Sequence, residues 1–174
     1  MVQKNLQTLL LPPYNAHTTF SIGGSIICGY EFEAVEFFPV LISYLHVEIE
    51  YLDNQYSNSI ERLREQNLTL KAWLNGLEQT LKKGNDIIKE RVIEAWINNI
   101  SSMKTAFQKT KGYENRLRTV WGEFLKTTMI NQCPCCPSNL GPFETHMMSQ
   151  HVEIVLTQEK RGKKRARNGD VLTE

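Results

Sequence analysis

A seven-residue repeat of apolar side chains runs through the middle of the chain. Its members recur from position 42 to position 77, and most have an apolar companion three or four residues further on. Helices with an apolar seam of this period pack along one another. The members are Ile42, Ile49, Tyr56, Leu63, Leu70 and Leu77. The repeat predicts one long amphipathic helix that stops at Gly84, where Asn85 is placed to cap a new helix.

Two shorter amphipathic patterns follow this helix. Apolar residues at three- and four-residue steps predict one helix over about residues 86–110 and another over about 113–130. Short connections favour antiparallel neighbours in a bundle. Two arrangements stay open at this point, a bundle within one chain and a coiled-coil homodimer, and we favour the bundle. Aromatic residues on these helices, Trp96 and Trp121 among them, are expected to belong to the core.

The first thirty residues show a different pattern. Phe20, Ile22 and Ile26 lie on alternate positions around Gly23 and Gly24. Alternation around a glycine turn predicts a short β ribbon. The predicted fold is therefore mainly α, with a small ribbon over 1–30 and helices over 31–131. Beyond the helices we expect a compact segment rich in cysteine and histidine over 132–158 and a disordered basic tail over 159–174.

Overall composition is close to that of an average soluble domain, but charge is unevenly distributed. The 174 residues have a formal net charge of +1, with 41% hydrophobic and 22% charged residues. These values exclude a wholly disordered or collagen-like chain. Residues 1–60 carry one basic and six acidic side chains, whereas residues 159–174 carry six basic and three acidic ones. A negatively charged partner is therefore expected to meet the C-terminal end.

No stretch of the sequence is typical of a membrane span or a secretion signal. The longest apolar stretch, residues 37–47, has eleven residues and contains Pro39, whereas about 20 apolar residues are needed to cross a bilayer. The apolar stretch at Leu9–Leu11 ends at Pro12 and Pro13, so it is too short for the core of a secretion signal. We therefore expect a reducing compartment, in which clustered cysteines bind metal more often than they form disulfides.

The residues best suited to chemistry are concentrated between positions 133 and 151. Cys133 and Cys136 form a C-x2-C pair, and after nine intervening residues His146 and His151 form an H-x4-H pair. Two thiolates and two imidazoles are a common tetrahedral ligand set for Zn²⁺. The sequence predicts a zinc site at these four residues, with Cys135 as an alternative for either cysteine. The two histidines would point about 140° apart on an ideal α-helix, so the helix is expected to loosen or end between them.

This segment resembles the C2H2 zinc finger. Leu140 and Phe143 stand where that family has its two core apolar residues, four after the second cysteine and three before the first histidine. The family usually has about twelve residues between its inner ligands, so here the second hairpin strand or the first helical turn must be shortened. The resemblance implies a structural zinc site, because four protein ligands leave no position open for catalysis.

The residues around the histidines favour a protein partner over a DNA sequence. Residues 132–158 contain no lysine or arginine, whereas fingers that read DNA use basic and amide side chains. The Cys-Pro-x-Cys opening and the adjacent Met147 and Met148 also resemble ubiquitin-binding zinc fingers. We therefore expect Met147 and Met148 to form an exposed face that binds a protein.

A strongly basic run lies directly behind this segment. It places six positive charges within eight positions, which is typical of a nuclear-import signal or an arm that contacts phosphates. Phosphate contacts are independent of sequence and weaken with salt. The basic residues are Lys160, Arg161, Lys163, Lys164, Arg165 and Arg167.

These patterns together predict a non-enzymatic protein. The chain has no phosphate-cradling glycine loop and no defensible pair of carboxylates in an apolar setting. We expect a nuclear zinc-finger regulator or viral accessory protein, whose helices self-associate or hold a protein partner and whose tail attracts nucleic acid. The alternative is a cytosolic coiled-coil adaptor whose finger binds ubiquitin or another protein, and a third reading is a metal-dependent enzyme. Neither a membrane nor a small-molecule substrate is expected as a partner.

Overall fold

The described part of the chain is built from helices. The computed structural model describes residues 35–110, 112–136 and 141–157, and these contain no strand. The prediction of a mainly α fold is confirmed, while the ribbon expected over 1–30 and the basic tail lie outside the described residues. After a 3-10 turn at Val35–Phe37, the main helices are α1 Phe38–Gln55, α2 Ser59–Lys83, α3 Asp86–Asn98, α4 Ile100–Lys109 and α5 Glu114–Thr127. Shorter helical elements follow, namely α6 Phe143–Met147, a π-helical turn Met148–Val152 and α7 Glu153–Leu156.

The helix predicted over the seven-residue repeat is interrupted in the structure. α1 ends at Gln55 and α2 begins at Ser59, where the side chain of Asn58 accepts a hydrogen bond from the Ile60 amide at 2.8 Å. A capping asparagine satisfies an amide that has no partner inside the new helix, and this local interaction ends the continuous helix. The prediction of one unbroken helix is therefore wrong.

The chain reverses at this break, so that α1 and α2 lie antiparallel. Near the turn, Gln66 donates a hydrogen bond to Asp53 at 2.7 Å, and at the far end the Trp73 indole N–H donates to the Leu41 carbonyl at 3.4 Å. Gln66 interrupts the apolar seam in the sequence yet is buried. Its bond to Asp53 explains how the core accepts an amide.

The apolar seam faces the core of the chain's own bundle. Ile42, Ile49, Leu70 and Leu77 are at most 1% exposed, whereas Leu63, next to the reversal, is 49% exposed. Side chains buried within one chain are not available as the seam of a dimer. The bundle arrangement therefore accounts for most of the repeat.

The second predicted helix is divided at Asn99 into α3 and α4. The Asn99 side chain donates hydrogen bonds to the Ala95 carbonyl at 2.7 Å and to the Ser43 hydroxyl at 3.2 Å. The second bond ties the junction to α1. Further along, Lys109 at the end of α4 forms an ion pair with Asp53 near the end of α1, so α4 runs parallel to α1.

The helix α5 completes the bundle beside α2. The Tyr113 hydroxyl donates a hydrogen bond to the Asn67 carbonyl at 3.0 Å. Further along, the Lys82 ammonium nitrogen lies 3.7 Å from a carboxylate oxygen of Glu123. These contacts advance together along both helices, so α5 is parallel to α2. None of the helices in the described ranges is long and apolar enough to cross a membrane.

Aromatic rings form a continuous cluster through the middle of this core. Trp73 contacts Phe38 and Trp96 at centroid distances of 5.3 and 6.4 Å. Trp96 in turn meets Trp121 edge-on at 5.1 Å, and Trp121 meets Phe124 at 5.9 Å. Tilted and edge-on pairs of this kind stabilise beyond the area they bury. The expectation that these aromatic residues belong to the core is confirmed.

Two glycines in the bundle are expected to respond in opposite ways to alanine. At Gly84, between α2 and α3, a Cβ atom would lie 2.6 Å from the Thr80 carbonyl oxygen, whereas at Gly122 within α5 it would meet nothing within 4 Å. Gly84→Ala should lower the free energy of unfolding by about 1–3 kcal/mol. Gly122→Ala should raise it by about 0.5–1 kcal/mol, because glycine weakens a helix interior. Urea denaturation measures both changes in unfolding free energy. Two substitutions that changed it by the same amount would contradict this expectation.

The ion pair between Asp53 and Lys109 is expected to stabilise the bundle in a pH-dependent way. The hydrogen bond from Lys109 lowers the pKa of Asp53 from 3.8, against the opposing effect of partial burial. Because the folded pKa lies below the unfolded one, this stabilisation is present above about pH 4 and is lost as the pH falls further. Asp53→Asn should lower the unfolding free energy by about 1 kcal/mol at pH 7. In urea titrations, the difference in unfolding free energy between Asp53→Asn and wild type should shrink between about pH 5 and about pH 3. A difference that stayed constant with pH would contradict the proposed role of the ion pair.

Candidate metal centre

The C-terminal helical segment shares one hydrophobic core with the bundle. Phe143, Met147, Val152 and Val155 are at most 8% exposed and belong to the same apolar cluster as the bundle helices. α6 and the π turn pack against α5, and α7 packs against α4. The bundle therefore fixes the position of the two histidines that this segment carries.

A π-helical turn brings the two histidines onto one side. In the turn Met148–Val152, the amide that follows, Glu153 N–H, bonds to the Met148 carbonyl five residues earlier. A π turn is wider than an α turn by one residue, so residues five apart face the same way. The expectation that the helix loosens between His146 and His151 is confirmed.

Four side chains converge next to this turn. The Nε2 atoms of His146 and His151 are 3.1 Å apart, and the His151 Nε2 atom lies 3.4 Å from Cys136 Sγ and 3.7 Å from Cys133 Sγ. All four candidate ligand atoms lie within 4.8 Å of one another. Both imidazoles are about 95% buried, at 6% and 5% exposure, so the cluster opens mainly on the cysteine side.

Three of the six distances between these atoms lie close to the edges of a zinc tetrahedron. Zn–N bonds of about 2.05 Å and Zn–S bonds of about 2.3 Å place two nitrogens about 3.3 Å apart and a nitrogen and a sulfur about 3.6 Å apart. The observed values of 3.1, 3.4 and 3.7 Å lie close to these edges. Cys133, Cys136, His146 and His151 can therefore hold a metal ion, and two thiols with two imidazoles are consistent with zinc.

The structure distinguishes the three neighbouring cysteines. Cys133 and Cys136 belong to the cluster and are half-buried, whereas Cys135 is exposed and lies outside it. A two-residue gap lets both outer sulfurs turn to one point, which leaves the residue between them facing away. Of the choices that the sequence leaves open, the geometry favours Cys133 and Cys136.

The local environment favours the uncharged forms of Cys136 and His151. Burial raises the pKa of the Cys136 thiol, and the adjacent Cys133 raises it further. Burial also lowers the pKa of His151, with a smaller contribution from His146. Neutral imidazole is already the form that binds metal, while the thiols must give up their protons to a cation.

Two contacts outside the ligand set attach this segment to the bundle. The Trp96 indole N–H in α3 donates a hydrogen bond to the backbone carbonyl of His151 at 2.8 Å. Arg118 in α5 forms a two-pronged ion pair with Glu153 in α7, with distances of 2.6 and 3.0 Å. The sequence analysis placed Trp96 in the core but indicated neither contact, because no local pattern reveals them.

The exposed methionine face expected from the sequence is wrong. Met147 is completely buried in the shared core, and Met148 is half-buried against it. The expectation took the segment as a free-standing finger, whereas α6, which carries Met147, packs against α5. The basic tail and Leu140 lie outside the described residues.

The fold and the cluster define a class of protein, a helical bundle with a Cys2His2 group that can bind metal. The hairpin of a C2H2 finger is not seen in residues 132–136, the described part of the stretch where it would begin. Comparison with protein-family models, with curated proteins and with solved structures finds no match to this chain. The function must therefore be argued from the site itself.

Proposed function

We propose that the protein binds one structural Zn²⁺ ion and acts as a non-enzymatic nuclear regulatory or viral accessory protein. The observation that carries the zinc assignment is the convergence of four ligand atoms within 4.8 Å. When bound, the ion would supply folding energy, because it joins the cysteine stretch after α5 to the histidine turn.

The ligand count supports a structural role for the ion. Catalytic zinc sites usually have three protein ligands and keep a fourth position for water or substrate. Here Cys133, Cys136, His146 and His151 would fill the tetrahedron. A closed site can bind the ion and hold the segment but offers no position to a substrate, which supports a non-enzymatic function.

The basic run supports the nuclear and nucleic-acid part of this proposal. Six positive charges lie between positions 160 and 167, whereas residues 132–158 have no basic side chain. Any phosphate contact would therefore come from the tail and weaken with salt. The adaptor alternative depended in part on an exposed pair of methionines, and the burial of Met147 removes that part of its support.

Zinc stoichiometry tests the central assignment. Purified protein should contain one zinc per chain, and His146→Ala and Cys136→Ser should lose it or bind it far more weakly. Cys135→Ser is the matched control, because this neighbouring thiol lies outside the cluster, and it should retain the ion. Elemental analysis of the four proteins gives the answer. No zinc in wild type, or equal loss in both cysteine variants, would overturn the assignment.

Deletion of residues 160–167 tests the role of the tail. The deletion should abolish nuclear accumulation and the salt-dependent binding of duplex DNA. Deletion of 168–174 is the control, since it shortens the same terminus and keeps all six basic residues. Unchanged localisation and DNA binding after the first deletion would contradict the proposed role of the tail.

A further inference from the structure

The hydrogen bond between Trp96 and His151 connects the centre of the bundle to the candidate metal ligands. The donor lies in α3 and the acceptor 55 residues later. Trp96 is completely buried, and its ring is held between Trp73 and Trp121 at 6.4 and 5.1 Å. Because neighbouring rings hold the Trp96 indole in place, its N–H group also holds the His151 carbonyl that accepts from it in one position.

That carbonyl belongs to a ligand residue inside the π turn. The π turn is an uncommon local structure, and only with it do His146 and His151 face each other. If the turn relaxed to an α-helix, the two imidazoles would separate by about 140° around the axis. A contact that holds the His151 backbone therefore bears directly on the geometry of the ligand set.

We propose that Trp96 is a positioning residue of the metal centre, which holds the His151 carbonyl and thereby keeps the π turn in the register that aims both Nε2 atoms at the cysteines. This inference rests on the proposed zinc site and deepens it. Groups that orient metal ligands from outside the ligand set commonly change metal affinity by about 10- to 100-fold when removed.

The neighbouring tryptophan supplies a matched control. Trp121 is also completely buried and contacts Trp96, but its indole N–H has no hydrogen-bond partner in the described ranges. Trp121→Phe therefore removes similar ring area from the same cluster without removing a hydrogen bond. Trp96→Phe removes both ring area and the contact with His151.

The test compares zinc affinity in the full-length chain. The dissociation constant, measured by competition with a chromophoric chelator, should rise at least about 10-fold in Trp96→Phe and change little in Trp121→Phe. Co²⁺ substituted for zinc gives a second readout, since its visible absorption reports ligand geometry. The spectrum should change in Trp96→Phe alone. Equal affinities and equal spectra in the two variants would overturn the inference, whereas wild type without zinc would overturn the proposed function instead.

A measurement on wild type decides the case if Trp96→Phe does not fold. Replacing Zn²⁺ by the larger Cd²⁺ should move the ligand backbone and leave the protein loaded. In spectra of the ¹⁵N-labelled indoles, the Trp96 N–H signal should then shift more than that of Trp73, whose bond to Leu41 lies outside the metal segment. A Trp96 shift no larger than the Trp73 shift would overturn the inference.

Discussion

Removal of zinc is expected to lower the free energy of unfolding of the whole bundle, not of the C-terminal segment alone. A ligand present at about 1000 times its Kd stabilises the folded state by about 4 kcal/mol, and its removal should cost that amount. The loss should reach the bundle because Phe143, Met147, Val152 and Val155 lie in its core. Urea denaturation with and without a chelator, followed by far-UV circular dichroism and tryptophan fluorescence, measures it.

The Cys136→Ser variant is the control for this experiment. Since it lacks one proposed ligand, its unfolding free energy should be low and should not respond to the chelator. Cys135→Ser should respond like wild type. A bundle that unfolds at the same urea concentration in the presence and absence of zinc would show that the ion and the core are not coupled.

Truncation of Met147 is expected to be among the most destabilising single changes in the C-terminal segment. The side chain is completely buried, and Met→Ala in a core commonly costs about 2–5 kcal/mol through lost burial and the cavity left behind. Met148→Ala is the matched control, because this neighbour is only half-buried and should cost about 1 kcal/mol or less. Urea denaturation of both zinc-loaded variants gives the comparison. Equal costs, or an unaffected Met147→Ala, would contradict the shared core.

The candidate ligands could be predicted from sequence because their signal is local. The C-x2-C and H-x4-H spacings use few residues, and each pair lies within one short stretch of the sequence. The spacing of the histidines even indicated a loosened helix, which the π turn provides. The choice between Cys135 and its neighbours could not be made, because it depends on how the stretch after α5 is folded.

The apolar repeat predicted the core more reliably than the course of the chain. Ile42 and Leu77 are buried as a seam should be, but the period carries on through the reversal after Gln55. The cap at Asn58 decides that reversal, and a seven-residue period gives no sign of it. The seam of a long helix and of an antiparallel helix pair have the same period, so periodicity alone does not separate them.

The errors and omissions in the C-terminal segment have a common physical cause. Met147 and Trp96 were assigned from their own helices, whereas their roles are set by contacts with distant helices. The bond from Trp96 to His151 spans 55 residues, and nothing in either local pattern reveals it. Met147 was predicted to belong to a binding surface, but a neighbouring helix buries it in the core.

The π turn also sets the phase of everything that follows it. One residue more per turn shifts the helix beyond it by about 100° relative to an uninterrupted α-helix. In that shifted phase Val155 lies in the core and Glu153 pairs with Arg118. Shortening the histidine spacing to four would suit a regular helix and two ligands, yet it would turn both of these residues away from their partners. The spacing of the histidines is thus tied to the packing of residues that never touch the ion.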